Sequence, residues 1–86
     1  NYLSFPMEGY TLALDFAIHK KLFAFLDELD ELIMQYGGRL YTTKDVRMSS
    51  QFFKASYPDI SKFITIRKKL KANTLFESLQ SKRLGI

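Results

Sequence analysis

Eighty-six residues make at most one small domain with a thin core, and 13 Lys and Arg against 9 Asp and Glu leave a formal net charge of +4. With no cysteine and a single histidine, disulfides, thiolate chemistry and histidine clusters are excluded, and no metal site is expected. An aromatic fraction of 15% argues against disorder, and no apolar run approaches the roughly 20 residues of a membrane-spanning helix.

The chain opens without Met, which suggests a processed chain or an excised fragment, and runs through Pro6 in an extended segment. "EGYTLALDF" then alternates: Tyr10, Leu12, Leu14 and Phe16 share one face, Thr11, Ala13 and Asp15 the other, which predicts a strand over residues 9–16. From His19 to Tyr36 the apolar residues Leu22, Phe25, Leu26, Leu29, Leu32, Ile33 and Tyr36 recur at three- and four-residue spacing, which predicts the main amphipathic helix. Gly37 and Gly38 end it, since glycine takes the left-handed conformation without a Cβ penalty. "RLYTT", residues 39–43, reads as a second strand.

Ser49 is placed to cap a short helix reaching about Tyr57, which Pro58 stops. Asp59 starts another, with Ile60, Phe63, Ile66 and Leu70 as its buried stripe and Arg67, Lys68, Lys69 and Lys71 in its last turns. The tail "NTLFESLQSKRLGI" reads as a turn and a short helix. The expected class is α+β: strand, long helix, strand, then two or three helices. Strands joined through one helix should lie parallel with a right-handed crossover, yet two short strands do not make a sheet that stands alone. The segment therefore reads as an incomplete part of a larger sheet-plus-helices domain. Its missing strands would come from the rest of a longer chain or from a second copy, and its open edges would favour self-association.

Several patterns suggest chemistry and have plainer accounts. The run "DELDEL" (Asp27, Glu28, Asp30, Glu31) could do acid–base work or hold a hard cation, but a solvated helix face accounts for it. His19 stands at a helix start, and Ser49 and Ser50 are better capping groups than nucleophiles. The basic set Arg67, Lys68, Lys69, Lys71, Lys82 and Arg83 could bind phosphate backbones, which keeps an alternative open: a small basic α+β module for an anionic polymer such as nucleic acid. Favourable charges at a helix C-terminus account for most of that set, and no nucleic-acid-binding motif accompanies it. Tyr41, Lys44, Asp45 and Arg47 stand at the end of the second strand, where spacing alone makes them loop charges.

Taken together, "GYTLALDF", "LDELDELIMQYGGRLYTTKDVRMS", "FFKASYPDISKFITIRKKL" and the terminal "RLG" resemble the C-terminal end of FAD-linked oxidoreductases of the vanillyl-alcohol-oxidase superfamily. The likeness is to the decaprenylphosphoryl-ribose oxidase branch, near the aldonolactone oxidases. It runs from about Phe5 to Ile86, and "GGRLYTTKD", then Met48, then "YP", is its most specific block. The tail departs from the family's D-P-x-G turn, carrying Lys71, Ala72, Asn73 and Thr74 there, while Phe76, Ser78, Arg83 and Leu84 keep register.

The resemblance implies that residues 1–86 are the C-terminal part of a substrate (cap) domain. The FAD domain, with most contacts to FAD, would lie elsewhere in the same full-length chain and be a partner of this segment. It implies oxidation of an alcohol group of a sugar-like or lactone substrate, with hydride passing to the flavin. It also places Tyr41 and Lys44 in the substrate pocket beside the flavin, where the Lys44 ammonium would be the catalytic and cofactor-contacting group. Tyr41 and Lys44 are three apart and would face opposite sides of a regular strand, so the strand must end or twist by Thr43 for both to reach one pocket. The fragment by itself is expected to be inactive and to hold no FAD, and the expected location is the cytoplasm or a membrane surface.

Overall fold

The periodic segment after His19 forms the longest element in the computed structural model, which describes residues 1–86: helix α1, Leu22–Gln35. Its end is dictated by the two glycines. Gly37, at φ +70°, donates to Met34 O at 3.1 Å, and Gly38 donates to Ile33 O at 2.8 Å, the paired bonds of a Schellman close. A Cβ on Gly38 would stand 2.8 Å from Ile33 Cγ2, so the close approach favours glycine there, whereas at Gly37 it is the left-handed φ that does. His19 serves the other end, its carbonyl accepting from Leu22 N and its Nδ1 from Lys21 N.

Ser49 caps α2 (Ser50–Ser56) by accepting Phe52 N at 3.0 Å, and Pro58 separates it from α3 (Ile60–Lys69). Asp59 precedes α3 without capping it; its carboxylate holds Lys62 instead. Two short helices follow, α4 (Ala72–Leu75) and α5 (Leu79–Leu84), the latter started by a reciprocal Ser78–Ser81 capping box. α2 packs on α1 and α5, and α4 on α3. The core is Met48, Phe52, Phe53, Tyr57, Ile60 and Leu84, with Leu3, Ile33, Leu40, Phe63, Ile64 and Ile86 packed around it. On α3 the inward residues are thus Ile60, Phe63 and Ile64, whereas Ile66 and Leu70 of the expected stripe are exposed.

The expected α+β class does not hold: the chain contains helices and no strand. No backbone N–H of residues 5–18 donates to a backbone carbonyl, so residues 9–16 form no ladder. Alternation gave them two faces, but a strand exists only through a paired neighbour, and none is present. Tyr10, Leu12, Leu14 and Ile18 are left in solvent, and Phe16, partly exposed, meets the Phe25 ring edge-on with centroids 6.1 Å apart. Residues 39–43 are overturned as a strand for a different reason. Their polar groups are claimed by side chains and by a turn: Leu40 O accepts the Tyr57 hydroxyl at 2.7 Å, Thr42 O accepts Gln80 Nε2 at 2.6 Å, and a 3₁₀ turn begins at Thr42.

Tyr57 is the fully buried hinge of this arrangement, with Arg39 over its ring at 5.2 Å. Burial pushes its phenol above the ordinary tyrosine value of 10.0, the Arg39 charge opposing in part. The folded state therefore holds that proton more tightly than the unfolded chain, and the stabilisation is complete below the unfolded value and lost as pH rises through the folded one. Thermal melts should accordingly fall as pH climbs above about 10, more steeply than in Tyr57→Phe. That variant should lose about 1 kcal/mol at neutral pH with the bond to Leu40 O. Parallel pH slopes for the two proteins would show that Tyr57 is not the group responsible.

Candidate functional site

The segment from Tyr41 to Ser49 carries Lys44, Asp45 and Arg47 within four residues, and the structure gives two of these charges fixed partners. Asp45, its side chain 5% exposed, folds the loop on itself: Oδ1 accepts Met48 N at 2.7 Å and Arg47 N at 3.1 Å. Oδ2 accepts Arg83 Nη2 at 2.8 Å, tying the loop to α5, and Arg83 Nη1 donates to Met48 O. Arg47 reaches the other way. Its Nη1 donates to Asp27 and Asp30 and its Nη2 to Asp30 and to Leu26 O, all between 2.7 and 3.0 Å. The Asp30 hydrogen bond, with the nearby carboxylates, holds the guanidinium pKa above its ordinary value despite partial desolvation.

This corrects the reading of "DELDEL" as a wholly solvated face. Asp30 is buried and, with Asp27 one turn away, forms the receptor for Arg47; Glu28 and Glu31 remain in solvent. The i, i+3 spacing of two aspartates was legible in the sequence, but the partner lies 17 residues from Asp30.

Between these anchors the backbone turns once. Tyr41 is extended (φ −80°, ψ 113°), and Thr42–Lys44 form the 3₁₀ turn, Lys44 N donating to Tyr41 O at 3.4 Å. The backbone thus leaves the extended conformation after Tyr41, and the turn occupies Thr42–Lys44. Tyr41 is half exposed, its ring against Phe5 at 5.2 Å. Lys44 is exposed and makes neither ion pair nor side-chain hydrogen bond, the only charge in "KDVR" left without a partner. No group of His, Asp or Glu side chains is arranged to hold a metal ion.

No family model matches the chain. Among curated proteins it is 42% identical over 84 residues to decaprenylphosphoryl-beta-D-ribose oxidase of Mycolicibacterium smegmatis, covering 98% of this chain and 18% of that protein. It is also 35% identical over 86 residues to an uncharacterised Streptomyces coelicolor protein from the mprA 5′ region, covering 99% of this chain and 23% of that one. The similarity to the decaprenylphosphoryl-ribose oxidase branch is therefore shown across essentially the whole chain, which spans about a fifth of the length of these relatives.

Removing the Arg47 fork deprives the buried Asp30 carboxylate of its two-pronged partner. Arg47→Lys, which keeps the charge but not the two-pronged geometry, should cost about 2–3 kcal/mol. For a chain of this size that lowers Tm by on the order of 10 °C or more. Lys62→Ala, which breaks an exposed pair with Asp59, should leave the melt in place; equal shifts for the two variants would show that the clamp has no special weight.

Proposed function

We propose that the chain is the C-terminal substrate-domain portion of an FAD-dependent oxidoreductase, one that oxidises an alcohol group of a sugar-like or lactone substrate. The observation that carries this reading is the 42% identity, across 98% of the chain, to an oxidase named for a ribose derivative. The surface supports the view of a part within a larger protein. A folded monomer of 10.1 kDa should expose about 5,300 Å², against 7073 Å² here. The radius of gyration, 14.0 Å, likewise exceeds the roughly 12 Å of a compact chain of this length.

FAD would supply the hydride acceptor. Its fit to this chain is confined to one place: the segment offers no glycine-rich turn opening a long helix for a pyrophosphate, but it does offer an unpaired ammonium, Lys44, on a turn braced from both sides. Lys44 holds a polar substrate oxygen, or stabilises negative charge building beside it, through an ammonium that no carboxylate of its own chain neutralises. Tyr41 packs its ring against the sugar-like substrate and, being joined to Lys44 through the turn, fixes the distance between the two contacts. Asp45, Arg47 and Arg83 position these two groups without touching the substrate.

In the full-length protein, Lys44→Met should slow substrate-driven flavin reduction by on the order of a hundredfold while leaving flavin content unchanged. Tyr41→Ala should act mainly on KM, as loss of substrate binding does. Lys20→Met, an exposed lysine without partners, is the control. Stopped-flow traces in which the Lys44 variant matches this control would end the catalytic assignment.

The 86-residue segment purified by itself should self-associate, because Tyr10, Leu12, Leu14 and Ile18 lie open to solvent. It should also retain no FAD through gel filtration. Light scattering showing a strictly monomeric species across a wide concentration range, or a stoichiometric visible flavin band, would contradict the view of the chain as a part.

A further inference from the structure

Charge is distributed unevenly along the chain. Residues 50–86 contain Lys54, Lys62, Arg67, Lys68, Lys69, Lys71, Lys82 and Arg83 but just two carboxylates, Asp59 and Glu77. Both are taken, Asp59 by Lys62 at 2.6 Å and Glu77 by Lys82 at 2.9 Å, and Arg83 is held by Asp45. The remaining cations have no carboxylate partner. Three of them, Lys54 from α2 and Arg67 and Lys68 from α3, line one concavity of about 400 Å³ together with Asn73 of α4 and Gly85. No acidic side chain lines it.

Two details mark this as more than a solvated face. Arg67 gives one guanidinium nitrogen to Phe76 O, so its charge is held in place at the wall of the concavity rather than free in solvent. Gly85, at φ +71°, closes α5, and a Cβ there would stand 3.0 Å from both Lys54 Nζ and Ser50 Oγ, so the absent side chain is what makes room for the ammonium. The α3 C-terminus favours Arg67 and Lys68 through its dipole, but that does not bring Lys54 of another helix or the Asn73 amide to the same place.

We infer that this concavity is an anion site that takes a phosphate group, either of a free phosphoester or of an anionic lipid headgroup. Lys54 and Lys68 from two helices, with Arg67 and the Asn73 amide beside them and Ile64 and Ile86 completing the wall, match an oxyanion that accepts charge-assisted hydrogen bonds on its basic side. The site shares no residue with the proposed Tyr41 and Lys44 pocket, and its occupancy does not depend on flavin chemistry.

Lysine acetylation of the full-length protein, followed residue by residue by mass spectrometry, reads the site directly. Millimolar inorganic phosphate, compared with chloride at matched ionic strength, should slow labelling of Lys54 and Lys68 severalfold while Lys20 and Lys21 keep their rates. Protection by phosphate and not by vesicles assigns a free phosphoester. Protection by phosphatidylglycerol vesicles, and not by phosphatidylcholine, assigns a headgroup. Arg67→Gln should raise the phosphate needed to protect Lys68 by about tenfold, and Lys54→Gln, which disturbs no bond of the fold, should do the same. Uniform slowing of all lysines, no slowing under any condition, or full protection of Lys68 in both variants overturns the assignment, whatever the Lys44 variants do to flavin reduction.

Discussion

The guanidinium of Arg47 is the joint on which the rest of the molecule depends. It is 83% buried, forked onto Asp30 and Asp27 of α1, and capped by Leu26 O, so it pins the loop before α2 to the middle of the longest helix. Only a guanidinium can do this: the planar fork meets two carboxylates and a carbonyl at once, which a lysine's point charge does not. Ion pairs of this kind add little net stability over an apolar contact, because desolvation offsets most of the attraction. Their value lies in direction. With Arg47 fixed, Met48 is driven into the core, Ser49 stands where it caps α2, and Asp45 faces back to receive Arg83 from the end of the chain.

That bracing explains how an exposed turn can present side chains at a set position. Loops placed by their own backbone alone wander, whereas Thr42–Lys44 is held by Gln80 through Thr42 O, by Tyr57 through Leu40 O, and by Asp45 just past its end. The charges that looked like one cluster in the sequence therefore divide by task. Asp45 and Arg47 are consumed inside the protein, and Lys44 is turned outward and left without a partner.

What the sequence made legible follows the range of the interactions involved. α1, its glycine close, the Ser49 cap and the Pro58 stop are set by neighbours within five residues, and they stand where periodicity and capping place them. The strands failed because alternation describes faces and says nothing of a partner; for residues 9–16 no backbone group answers. At residues 39–43 the competing bonds come from Tyr57 and Gln80, up to 38 residues away. The same distance hid the roles of Asp30 and Arg83.

The two halves of the chain exchange charge, and the exchange decides which cations remain. Residues 1–49 carry the surplus of carboxylates, among them Asp27, Asp30 and Asp45, yet Asp27 and Asp30 are spent on the local Arg47, and Asp45 is the one acid that crosses to the basic half, where it meets Arg83. Because α1 lies against α2 rather than against the C-terminal turns of α3, no acidic face reaches Arg67 and Lys68. The basic concavity is thus a product of packing as much as of composition: an acidic helix lies within the same small chain, but its Asp27 and Asp30 are held to the loop before α2 by Arg47. A fold that paid for charge balance alone would have brought the two together.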